Sequence, residues 1–94
     1  MLYVVIAKYA TDLEVGTRRE RVRDAHIENL KRHAETGEVV ISGPILDDAG
    51  TPKGSALILE FVSREAVQAF LDADLYSQNG IWESFEIDPF VRIV

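Results

Sequence analysis

Apolar positions along the chain alternate between a period near two and a period near 3.6. Leu2 to Tyr9 (LYVVIAKY) is rich in β-branched and aromatic residues and predicts a first strand. The next apolar positions are spaced for a helix: at 100° per residue, Val22, Ala25, Leu30 and Ala34 define one side. Thr17-Arg-Arg-Glu20 has the form of a capping box, with Thr17 as N-cap. The helix is expected to reach Glu35, and Gly37 supplies a left-handed stop. Val39 to Leu46 predicts a second strand, interrupted by Gly43-Pro44. Proline has no N–H to give a ladder, which puts Pro44 at a sheet edge or a bulge. Residues 47 to 54 (DDAGTPKG) are dense in turn formers and predict a hairpin loop. Ser55 to Val62 (SALILEFV) follows as a third strand. Ser63 caps a second helix with an apolar face of Ala66, Val67, Phe70 and Leu71. Asp72 to Gly80 is irregular or holds one short helical turn. Trp82 to Ile93 alternates as a long last strand.

The order βαββαβ over residues 1 to 94 predicts a single α+β domain of ferredoxin-like layout. It has a four-stranded antiparallel sheet with both helices on one face. The other face should be polar in a monomer, yet both faces carry apolar groups. Leu2, Val4 and Ile6 oppose Tyr3, Val5 and Ala7. Ala56, Ile58 and Val62 oppose Leu57, Leu59 and Phe61. In the last strand Phe85, Ile87, Val91 and Ile93 oppose Trp82 and Phe90. An uncovered apolar face of this extent invites association, and the loops are too short to cover it. A homodimer packed sheet to sheet is therefore expected.

Charge narrows the partners. Lys and Arg number 10 against 16 Asp and Glu, a net charge of −6 with a pI near 4.8. Such a chain repels phosphate backbones, so no nucleic-acid partner is expected. No apolar run approaches the roughly 20 residues of a membrane span, and MLYVVIA lacks a basic leader and a cleavage site. The expectation is a soluble, cytoplasmic protein with no membrane partner. There is no cysteine, which excludes disulfides and thiolate metal sites and fits a reducing compartment.

The candidate chemistry centres on the first helix. His26 lies within its apolar arc, with Ile27 toward the far edge. An imidazole there is either a core group bonded to a backbone carbonyl or a general acid or base. His33, seven residues on, is displaced by about 10.5 Å along the axis, too far for both rings to bind one metal ion. It reads as a surface histidine favoured by the helix C-terminus. No metal site is expected. A carboxylate partner for His26 comes from Asp72 or Asp74, either of which also suits the capping of a short turn. Ser42 is a nucleophile only with a base within about 3 Å. Gly43 either forms a bulge or brings backbone amides close to a ligand. Arg23 binds an anionic substrate or pairs with Glu20 or Asp24. Tyr76 and Trp82 are walls of an aromatic-binding pocket or fillers of an interface.

Taken together, these segments resemble the YCII-related (YciI-like) family. The resemblance covers essentially the whole chain. It rests on RDAHI (Arg23 to Ile27), GEVVISGP (Gly37 to Pro44), DADLY with NGIWE (Asp72 to Glu83), and the closing DPF (Asp88 to Phe90). It implies a dimeric ferredoxin-like α+β barrel and an active site built on a His–Asp pair. The histidine of the family's R-x-A-H is His26. The aspartate of its D-P-[YF] is Asp74, with Leu75 in place of the usual proline. Asp24 also stands where many relatives have proline. Some members are linked to breakdown of chlorinated hydroxyaromatic compounds by elimination of HCl, and the fold is shared with muconolactone isomerases. The resemblance thus implies a lyase or isomerase-type proton transfer on a small aromatic or anionic substrate, with no cofactor. His26 would be the base and Asp74 its orienter, with Ser42 or amides near Gly43 as donors. The alternative is a non-catalytic small-ligand binding or accessory module in which the pair is structural.

Overall fold

Strand β1 (Leu2–Tyr9) runs through the middle of the sheet, and its alternation sets the two faces. Tyr3, Val5, Ala7 and Tyr9 are all buried on one side. The computed structural model describes residues 1–94. After β1 come α1 (Val15–Glu35), β2 (Val39–Leu46), β3 (Pro52–Glu60), α2 (Arg64–Ala73), α3 (Leu75–Gln78) and β4 (Trp82–Phe90). The four strands lie in the order β2-β3-β1-β4, every neighbouring pair antiparallel. This is the ferredoxin-like βαββαβ arrangement that the periodicity predicts.

One face of the sheet carries the core. Leu57 and Leu59 of β3 and Ile87 of β4 join the β1 residues, and Val67 and Leu71 of α2 and Tyr76 of α3 pack with them. Val5, Leu59, Val67, Leu71 and Ile81 are wholly buried, each worth about 1.5–3 kcal/mol of transfer free energy. The opposite face, with Leu2, Val4 and Ile6 of β1 beside Ala56 and Ile58 of β3, has no layer over it.

Several boundaries differ from the pattern, for local reasons. Helix α1 begins at Val15, so Thr17 is an exposed residue of the first turn and not its cap. Asp12 opens the helix: its Oδ2 accepts from Glu14 N at 3.1 Å. The end is as expected. Gly37 has φ 86°, and Glu38 N and Gly37 N donate back to His33 O and Ala34 O, which closes a Schellman turn. Ala25 and Ala34 are exposed, and His26 is the one buried residue of α1. The hairpin loop is shorter than DDAGTPKG, because Asp47 Oδ1 accepts from both Ala49 N and Thr51 N and lets pairing resume at Pro52. Pro44 sits on the edge strand β2, and the two irregularities of β2 lie between Val39 and Ile41 and between Ile45 and Leu46. A register shift opposite Lys8 and Tyr9 puts Trp82 on the same face as Phe85 and Ile87, not opposite them. Strand β4 ends at Phe90, so Val91 and Ile93 lie beyond the sheet. On the uncovered face β4 presents Ser84, Glu86, Asp88 and Phe90, and β2 presents Ile41 and Ile45, so that face is apolar except along the middle of β4. No helix is long and apolar enough to cross a membrane.

Candidate active site

Asp74 is placed by two helix ends at once. It closes α2, its N–H donating to Leu71 O, and its side chain caps α3. Its Oδ1 accepts from Tyr76 N at 2.8 Å. Leu75 stands where proline would fix the first helical position, and the aspartate cap holds the turn without it. The same Oδ1 lies 2.6 Å from His26 Nδ1. A carboxylate only accepts, so Nδ1 carries the proton in this bond and the neutral ring keeps its lone pair on Nε2. Asp74 is wholly buried and its Oδ2 meets no donor. Asp72, the other candidate, is exposed and accepts from Gln68 Nε2.

The imidazole is clamped by rings. Tyr76 stacks on it with centroids 3.6 Å apart and planes 7° from parallel, and Trp82 stands edge-on at 5.4 Å. Burial pushes the Tyr76 phenol above its ordinary value, against the pull of the Arg19 and Arg23 guanidinium groups. Ser55 ties the far wall together: Trp82 Nε1 donates to its Oγ at 3.0 Å, and the Tyr9 hydroxyl lies 3.1 Å from the same oxygen.

Beside the imidazole is a cavity of about 470 Å³ between α1 and β2. Arg23, His26, Ser42, Gly43, Tyr76 and Trp82 all line it, and Asp74 stands behind His26. The fold thus brings together in space the seven residues singled out in the sequence. Arg23 forms no ion pair with Glu20 or Asp24. No hydrogen bond joins the Ser42 hydroxyl to a base, although it lines the same cavity as His26. Its role as a nucleophile has no support in this geometry, and its place on the wall fits that of a donor. Tyr9, Arg19 and Ser55 also line the cavity, and none of them stands out in the sequence as a site residue. A signal for two of them was present. Arg19 lies one heptad before His26, on the same helix face, and Ser55 is the polar member of a face otherwise formed by Leu57 and Leu59. His33 is elsewhere, half-buried on the outer side of α1, with Nδ1 2.6 Å from Glu38 Oε1 and its ring edge-on to Phe70.

A model of the YCII-related domain matches residues 1–91. The chain belongs to the YCII-related family. Among curated relatives, the protein YciI of Escherichia coli O6:H1 (strain CFT073) and that of Shigella flexneri are each 37% identical to it, covering 99% of both chains. Among solved structures of this YCII-like fold is 5-chloro-2-hydroxyhydroquinone dehydrochlorinase (TftG) of Burkholderia phenoliruptrix AC1100, in complex with 2,5-dihydroxybenzoquinone. It is 22% identical with a TM-score of 0.80, covering 97% of this chain and 94% of that one. Protein Atu4242 of Agrobacterium tumefaciens has a TM-score of 0.50 at 24% identity, covering 94% of this chain and 89% of its own. At these identities the structural neighbours share the fold.

Proposed function

We propose that this YCII-family chain is a small-molecule enzyme of lyase or isomerase type, which moves a proton with the His26–Asp74 pair. The observation that carries the reading is the 2.6 Å bond between two buried side chains, one of which faces a cavity. Asp74 fixes the tautomer with the proton on Nδ1, and Nε2 takes a proton from a ring hydroxyl or ring carbon of the substrate. The carboxylate stabilises the imidazolium as it forms. For loss of HCl from a chlorinated hydroxyaromatic ring, as the dehydrochlorinase's name describes for that protein, the proton goes to Nε2. The imidazolium returns that proton to the chlorine-bearing carbon, which gives the keto tautomer; Nε2 then takes a second hydroxyl proton, and the C–Cl bond breaks with its electron pair on chloride as the quinone carbonyl forms. Ser42 and the backbone near Gly43 lie across the cavity as donors to the developing negative charge. Flat aromatic walls, Tyr76 and Trp82, suit a flat ring.

The test is chloride release from 5-chloro-2-hydroxyhydroquinone by the parent and by His26→Gln. The expected result is turnover by the parent and a loss of about a hundredfold or more in the variant. Equal turnover would remove the proposed base. Absence of turnover together with unaltered binding would favour a binding module.

The same reading includes a homodimer through the uncovered sheet face, where Ile6 and Ile41 are 39% and 64% exposed in the single chain. Sedimentation of the parent and of Ile58→Lys checks it, with a dimer expected for the first and a monomer for the second. A monomeric parent would end that part of the proposal.

A further inference from the structure

Proton counting on the inner wall of the cavity leaves donors to spare. Trp82 Nε1 has a hydrogen and no lone pair to offer, so Ser55 Oγ accepts from it. The Tyr9–Ser55 pair carries two hydroxyl hydrogens, and the bond between them uses one. No protein acceptor meets the second. If Ser55 donates to Tyr9 the phenol hydrogen is spare, and if Tyr9 donates the seryl hydrogen is. Both residues line the cavity and each is only 6% exposed.

Arg19 adds another donor to that wall. Its Nε is buried and makes no hydrogen bond. Its guanidinium carbon stands 5.7 Å from the centre of the Tyr9 ring. Buried donors are nearly always satisfied in native structures, so an unpaired Arg19 Nε beside a hydroxyl pair with a hydrogen to spare calls for an acceptor inside the cavity. Charge says which kind. The chain as a whole carries −6, yet Arg19, Arg23 and Lys31 line this cavity and no aspartate or glutamate does. A cavity of opposite sign to its protein concentrates anions from solution.

We propose that Arg19 and the Tyr9–Ser55 hydroxyl pair form an oxyanion-binding subsite that selects a ring substrate bearing a carboxylate, phenolate or enolate oxygen. The subsite rests on the reading of the cavity as a substrate site, but not on His26 as the base. Arg19 meets the charge, and the spare hydroxyl fixes the direction of the oxygen lone pair. Together they set the ring's orientation against the His26–Tyr76 stack. Arg23 and Lys31, more exposed, act as attracting charges at the mouth.

The experiment is a binding titration at pH 8 with benzoate and 4-nitrophenolate, and with the neutral analogues benzamide and 4-nitroanisole, followed by the Trp82 indole and amide NMR signals. One anion of the two binds about tenfold or more tighter than its neutral analogue, a difference large enough to reflect a charged hydrogen bond. Benzoate as the favoured ligand marks a carboxylate subsite, and 4-nitrophenolate a phenolate or enolate one. Arg19→Gln, and the double variant Tyr9→Phe/Ser55→Ala that removes both hydroxyls, each abolish most of that preference and leave the neutral analogue's affinity within about twofold. Each keeps the other half of the subsite, so either decides the matter if the other does not fold. Equal binding of anion and neutral analogue, no binding of any of the four, or a preference kept in either variant would each overturn the proposal. His26→Gln separates the two readings. Anion preference retained with turnover lost upholds both, and retained with turnover intact removes the base and leaves the subsite.

Discussion

Helix α1 carries two histidines, and each holds a carboxylate oxygen 2.6 Å from its Nδ1. His33 and Glu38 form the outer pair, with side chains 34% and 39% exposed. His26 and Asp74 form the inner one, at 7% and 0%. Equal distances conceal unequal work. Around the outer pair, water screens the charges and offers both groups other partners, which leaves such contacts little net effect. Glu38 there also accepts from Thr36 Oγ1, and its carbonyl takes Glu60 N. Its task is to tie the end of α1 to the start of β2. The inner pair is shielded from bulk solvent. Its carboxylate is shared with the first turn of α3, its imidazole is held by Tyr76, and the free Nε2 is left for the cavity side. Solvent access, not bond length, separates the two pairs.

Asp74→Ala should break this contrast most severely. It leaves a buried imidazole unpaired and a helix uncapped, with an expected loss of about 3–5 kcal/mol, read by urea unfolding, and no turnover. A milder change isolates the charge. In Asp74→Asn the amide oxygen in the Oδ1 place can still accept from both Tyr76 N and His26 Nδ1, so the ring keeps its tautomer and loses the carboxylate that would stabilise the imidazolium. Most of the stability should remain while turnover falls by about a hundredfold or more, with imidazole ¹⁵N spectra still showing the proton on Nδ1. A variant that kept parental turnover would put the inner pair in the same class as the outer one.

Effects at the outer pair are expected to be small. Glu38→Gln should leave turnover at the parental level and move the thermal midpoint little. Its signature is in pH. The bond from His33 holds the Glu38 carboxyl below its ordinary value, with help from Thr36 and against partial burial. A carboxyl depressed on folding adds stability above its unfolded value and loses it as the pH falls through the folded one. The parent's small advantage over Glu38→Gln should therefore be present at pH 6 and disappear on acidification below the usual glutamate range. An advantage that persisted in acid would show a contact other than the ion pair.

Local chemistry was the most legible layer of the sequence. Gly37 announced its left-handed turn, Ser63 its cap, and the alternation of β1 its buried face, because each depends on neighbours within a few residues. Thr17 misled because Asp12, five residues earlier, supplies a competing oxygen to the backbone. The side taken by Trp82 was hidden for a different reason. It depends on a register slip against Tyr9, and the partner strand of a slip is invisible in one strand's pattern. The His26–Asp74 pair was legible through family resemblance, since spacing alone left Asp72 equally eligible. The choice between them follows from the α2–α3 turn, which buries one and exposes the other. Tyr9, Arg19 and Ser55 come from three separate elements: helical spacing marks the face of Arg19 and strand alternation that of Ser55, but their meeting with Tyr9 depends on the sheet.

Helix α3 is a single turn of four residues, and a helix that short has little tenacity of its own. It is kept in place by Arg18, which donates to Asn79 O and Gly80 O, and by the Asp74 oxygen that also aims the imidazole. One oxygen thus serves as both latch and aiming device. When warming or denaturant loosens that turn, the ring should lose its bearing while the sheet still stands, and the proposed proton transfer should fail before the molecule melts.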